Sequence, residues 1–96
     1  MEDFRMSSQK TAQHYKEQMT GKRYRHFKGG IYIVTDIAVH SETGNLMVVY
    51  KSFKDPSLTW ARPISMFLSE VDKGKYPDVK QEYRFEELAN QIGGAI

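Results

Sequence analysis

Residues 31–53 read IYIVTDIAVHSETGNLMVVYKSF, and this stretch decides the fold. Ile31–Val39 is rich in β-branched side chains. Alternation would put Ile31, Ile33, Thr35, Ile37 and Val39 on one face, with Tyr32, Val34, Asp36 and Ala38 on the other. Ser41-Glu42-Thr43-Gly44-Asn45 reads as a hairpin loop, with Gly44 placed for a left-handed conformation. Leu46–Phe53 is then the return strand, mostly β-branched and aromatic.

The neighbouring segments extend the same pattern. Upstream, Arg23–Phe27 is a short strand joined to Ile31 by the turn Lys28-Gly29-Gly30. Downstream, Lys54-Asp55-Pro56-Ser57 forms a second turn and Leu58–Arg62 another strand. Pro63 cannot donate to a ladder but can begin a helical turn through Ile64-Ser65-Met66-Phe67, of which Met66 and Phe67 are expected in the core. Leu68–Val71 supplies a short closing strand. The order is that of a mostly β domain: a small SH3-like, partly open barrel of about five antiparallel strands. Residues 1–21 form an N-terminal helix or flexible arm, with Ala12, Tyr15 and Met19 at helical spacing and Gly21 at its end. The remainder, 22–96, is a single barrel-like domain with its own C-terminal cover. That cover is expected to be a short helix, because Phe85, Leu88 and Ile92 are spaced by three and four before Gly93-Gly94.

Composition narrows the class of function. The 96 residues suit one domain, and the absence of cysteine excludes disulfides, thiolate nucleophiles and cysteine-zinc sites. Neither a membrane-length apolar run nor a signal-peptide pattern occurs, so a cytoplasmic protein without membrane partners is expected. The net charge of +2 conceals an asymmetry: residues 1–30 carry seven Lys/Arg against three Asp/Glu, and the remainder seven against nine. Such a small excess argues against strong non-specific nucleic-acid binding. No metal is expected from His14, His26 and His40, which lack the paired helical spacing of a ligand set, and no glycine pattern implies a cofactor.

Two strings carry candidate chemistry. In His40-Ser41-Glu42, adjacent side chains on a strand point to opposite faces, so a His–Ser nucleophile pair is not expected. His40 with Glu42 as an acid–base pair stays open beside a plainer role, in which Ser41 or Glu42 hydrogen-bonds the hairpin backbone. In Trp60-Ala61-Arg62-Pro63, Trp60 and Arg62 share a strand face, and the following proline keeps Arg62 extended. A guanidinium beside an indole can take a carboxylate or phosphate. Equally, Trp60 can fill the core while Arg62 pairs with Glu42 or an aspartate. The basic-aromatic run 22–28 alternates, sending Arg23, Arg25 and Phe27 to one face and Tyr24, His26 and Lys28 to the other.

Taken in order, the strings YRHFKGG, HSETG, VVY, WARPISMF and the later RF resemble a small bacterial family, domain of unknown function 1653, across roughly residues 21–86. The resemblance implies a compact, mostly β domain and no known activity. The segment Lys73–Tyr83 is longer than the family pattern leads one to expect. What the pattern contributes is a set of polar positions that packing alone does not require: Arg25, His26, His40, Glu42, Tyr50, Arg62 and Arg84. Convergence of these, walled by Trp60, Phe67 and Phe85, would make a non-enzymatic module for a peptide or an anionic small ligand. Single-stranded nucleic acid held by strand 22–28 with Arg62 and Arg84 is the alternative, and an internal polar network the plainest one.

Overall fold

The computed structural model describes residues 3–89 of the chain, with side chains from residue 11 onward. In chain order the elements are α1 (Asp3–Met19), β1 (Arg23–His26), β2 (Ile31–Val39), β3 (Leu46–Ser52), β4 (Thr59–Pro63), α2 (Ile64–Phe67) and β5 (Phe85–Glu87). All five strands form one antiparallel sheet in the order β4-β3-β2-β1-β5. The sheet curls around a core without closing, so β4 and β5 are its two edges: a mostly β, partly open barrel.

Helix α1 covers the curled sheet by the spacing its sequence shows. Ala12 and Met19 are buried in the same core cluster as Tyr24, Val34 and Ile37, and Tyr15 packs against that cluster. Beyond the helix, Gly21 turns the chain so that its amide reaches the Val34 carbonyl at 2.8 Å. From the sheet itself Leu46, Val48 and Tyr50 project inward at alternate positions of β3, as a strand with one buried face requires. Burial, with Glu87 directly across the ladder, pushes the Tyr24 phenol up to about 12.

Four details differ from the sequence expectation. In β2, the register slips between Val34 and Asp36, leaving Thr35 as the extra residue of a bulge. Simple alternation therefore fails: Val34 and Ile37, three apart, are both buried. The bulge is held locally, since the Thr35 hydroxyl donates to the Val49 carbonyl at 3.2 Å and the Ile37 amide to Asp36 Oδ1 at 2.7 Å. Lys16 of α1 lies 3.4 Å from the same carboxylate.

Secondly, Phe85–Glu87 is a strand, not the start of a helix. It pairs with β1 as Tyr24↔Glu87, Arg25↔Glu86 and His26↔Phe85. The non-local ladder outweighs a weak helical spacing, and the residues beyond 89 on which the rest of the expected helix falls lie outside the described residues. Thirdly, the expected strand at Leu68–Val71 is reduced to a single bridge between Glu70 and Tyr83. Lastly, Met66 is 45% exposed, while Phe67 is fully buried as expected. In this four-residue turn Phe67 and the half-buried Ile64 face the core, which leaves Met66 on the outer side.

The β1–β2 turn depends on Gly29 and Gly30, both at positive φ (111° and 90°), where an L side chain is strained. Gly30→Ala is expected to cost about 1–2 kcal/mol of stability, read by chemical denaturation. No helix among the described residues is long and apolar enough to cross a membrane.

Candidate functional site

Phe85 is the point from which the site is built. Its ring stacks on Phe67 with centroids 4.0 Å apart and planes 7° from parallel. His26, Tyr50 and Tyr32 meet it edge-on at 4.8, 5.6 and 6.0 Å. These rings come from β1, β2, β3, β5 and α2, so they gather wherever the barrel curls inward. Over the same ring lies Arg62, its guanidinium carbon 5.5 Å from the centroid. Since Arg62 belongs to edge strand β4 and Phe85 to edge strand β5, this contact spans the seam of the open barrel.

A cleft of about 390 Å³ lies at this seam, lined by His26, Phe27, Lys28, Arg62, Asp72, Lys75, Tyr76 and Arg84. Arg84 immediately precedes β5 and is anchored by its backbone, whose amide donates to Ser69 and whose carbonyl accepts from Phe27. Lys28 comes from the β1–β2 turn and lies over Tyr76 and Phe27, at 5.2 and 5.8 Å. Lys75 lies over the Tyr76 ring at 5.7 Å, and Tyr76 meets Phe27 edge-on at 5.0 Å. Three of the four cations are thus placed by aromatic rings.

None of these four cations forms an ion pair among the described residues, where the ion pairs are Lys16–Asp36 and Lys22–Glu87. Asp72 is the single carboxylate in the lining, and its Oδ1 accepts the backbone amides of Gly74 and Lys75 at 3.0 and 3.2 Å. A ring face positions a cation without neutralising it. The positive charge of the cleft is therefore available to an incoming group.

Two titratable groups register that charge. Burial first, then Arg62, Lys28 and Arg84, hold the His26 imidazole below its ordinary value. Its Nδ1 accepts the Lys28 amide at 3.1 Å, which disfavours a second proton there and leaves the neutral ring with its N–H on Nε2. Tyr76 is held below the usual phenol value by a hydrogen bond from Lys28, and then by the charges of Lys28, Lys75 and Arg84. For His26 the linkage has a definite sign: its contribution to stability is complete above about 6.5 and is lost as pH falls through the lowered folded value. Arg62→Gln removes one repelling charge, so the His26 pKa is expected to rise toward 6.5, followed by NMR of its ring protons.

Of the residues singled out in the sequence, His26, Arg62 and Arg84 meet at the cleft and Tyr50 lies in the aromatic floor beneath it. Trp60 is on the same strand face as Arg62, 47% exposed, and is part of neither the core nor the lining. Phe67 and Phe85 are buried supports, not walls. Arg25 faces the other way from His26 and is exposed. His40 and Glu42 lie past the opposite end of β2, a strand of 9 residues that spans roughly 30 Å. There His40 Nδ1 accepts the amides of Glu42 and Thr43, at 3.2 and 3.3 Å, and Thr43 Oγ1 accepts that of Asn45. The backbone-holding role expected of Ser41 or Glu42 thus belongs to His40 and Thr43, and among the described residues Arg62 pairs with neither Glu42 nor an aspartate. Lys75 and Tyr76 were not singled out. Their signal is a lysine beside an aromatic, mirroring Phe27-Lys28 on the facing turn.

The fold and cleft together define a class: a small open β-barrel with a cationic, aromatic-lined seam. The chain belongs to the DUF1653 family, described as a protein of unknown function, whose sequence model matches residues 22–87. Its fold is similar to the crystal structure of a DUF1653 protein from Bordetella bronchiseptica. That match has a TM-score of 0.60 and 24% identity, covering 76% of this chain and 91% of the other. No curated protein matches.

Proposed function

We propose that the chain is a binding module, not an enzyme, and that the seam cleft takes the phosphate or carboxylate of an anionic small ligand or peptide. One observation carries this reading: four cations converge on a single cleft without a carboxylate partner among the described residues. Planar guanidinium groups suit both anions, and His26 adds a neutral N–H donor beside them. Catalysis is the weaker reading because both motif histidines spend Nδ1 on backbone amides of their own turns. Nucleic acid is weaker too. Along strand 22–28, Lys22 pairs with Glu87, Arg23 lies over Phe53 and Arg25 faces away, so no continuous phosphate track forms.

Titration with inorganic phosphate, followed by NMR, tests the proposal. The resonances of His26, Lys28, Tyr76 and Arg84 are expected to shift together and saturate, and the His26 pKa to rise as the anion offsets its neighbours. Absence of saturable shifts at these residues would overturn it. A single-stranded oligonucleotide that binds with a steep salt dependence would favour the nucleic-acid reading instead.

A further inference from the structure

Edge strand β4 carries hydrogen-bonding groups that find no partner among the described residues. The Phe53 amide donates to the Ile31 carbonyl at 2.8 Å, so Ile31/Phe53 and Ile33/Lys51 are the hydrogen-bonded pairs of the β2–β3 ladder. Tyr50 and Val48 accordingly turn their backbone groups toward β4, where they face Trp60 and Arg62. The intervening residues Thr59 and Ala61 must present their amides and carbonyls outward. Pro63 ends that outward series with no amide to satisfy. Natural edges are usually blunted by lysine, a bulge or an inward charge, yet Thr59 and Ala61 are small and neutral. Leu58 and Trp60 beside them are 51% and 47% exposed.

We infer that an acidic peptide in extended conformation docks on β4 as an added strand. This rests on the cleft reading and names its occupant. Pairing would use the outward groups of Thr59 and Ala61. Because alternate residues of a strand share a face, the peptide residue lying against Trp60 and the one lying against Arg62 are two positions apart. Charge complementarity then sets the pattern: an apolar or aromatic residue at the first, and Asp or Glu at the second, beside the mouth of a cleft whose four cations have no ion-pair partner among the described residues. Free amides and an exposed indole on a strand with a single cation suit a peptide better than a polyphosphate backbone.

The probes are short synthetic peptides with Glu two positions from Phe or Leu, compared with scrambled peptides of the same composition. Patterned peptides are expected to bind and scrambled ones not. Ala61→Pro, which removes an outward amide and is tolerated on an edge, is expected to weaken peptide binding about tenfold while inorganic phosphate still shifts His26. Trp60→Ala should weaken the same peptides without altering the phosphate response. If Ala61→Pro fails to fold, hydrogen exchange of the wild type decides. Peptide should slow the Ala61 and Thr59 amides, whereas those of Trp60 and Arg62 are protected already. Equal binding of scrambled peptides, or unchanged exchange at Ala61, would overturn the inference. Tighter, salt-steep binding of an oligonucleotide at these residues would do the same. Saturable phosphate binding without strand-dependent peptide binding leaves the cleft reading standing and removes this one. Loss of the phosphate response alone, with peptide binding still sensitive at Ala61, overturns the cleft reading and with it the acidic position of the peptide, leaving strand addition by itself.

Discussion

Phe85→Ala is expected to destabilise the fold by about 3–5 kcal/mol, the usual cost of emptying a buried phenylalanine site. A domain of this size has only roughly 5–15 kcal/mol in all, so the melting temperature should fall by roughly 15–30 °C. The upper part of the range is favoured by what the ring touches. Phe85 is 5% exposed, stacks on the fully buried Phe67, and meets three further rings from three other strands. These partners are anchored on different elements, so they cannot close on the void by one local movement. β5 also has just three ladder positions to hold it against β1, and Phe85 is its one buried side chain. Thermal unfolding of Phe85→Ala beside Phe85→Leu checks the account. The leucine variant fills most of the volume and should lose clearly less. Equal losses would mean that aromatic geometry, not volume, sets the stability of the seam.

How far this was legible in the sequence follows from which interactions are local. The hairpin of β2 and β3 could be read because its loop needs a left-handed residue at Gly44 and its strands are β-branched throughout. The bulge could not: Thr35 and Asp36 look like ordinary alternating positions, and the slip shows only when Asp36 is seen opposite Val49. β5 was misread for a related reason. The spacing of Phe85, Leu88 and Ile92 fits a helix, while the competing ladder comes from β1, some sixty residues earlier in the chain. Among the polar motif residues, residue type did not separate His26 from His40. Both serve as acceptors for the turns that follow them, and only the topology sends one to the cleft and the other to the far end of the sheet. Lys75 and Tyr76 were hidden because their loop reaches Lys28 by tertiary packing alone.

Arg62→Ala is expected to lower affinity for an anionic ligand by about 10- to 100-fold, the range for losing a charged hydrogen bond of about 1.5–3 kcal/mol. Stability should change far less, because Arg62 is half-buried and has no carboxylate partner among the described residues to leave unpaired. The two effects are separable by measuring phosphate binding and thermal unfolding on the same variant. Arg62→Lys sharpens the test. It keeps the charge near Phe85 but loses the planar fork, so it should recover part of the affinity if charge dominates and little if paired hydrogen bonds do. A role confined to fastening the barrel across the seam would give the opposite pattern: Arg62→Ala would unfold more readily, and its phosphate affinity, measured where it remains folded, would match that of the wild type. The geometry favours the binding role. An arginine laid on one ring gains about 1 kcal/mol as a fastener at a half-buried site, whereas the same guanidinium, held in place and without a counter-ion among the described residues, is positioned to receive one.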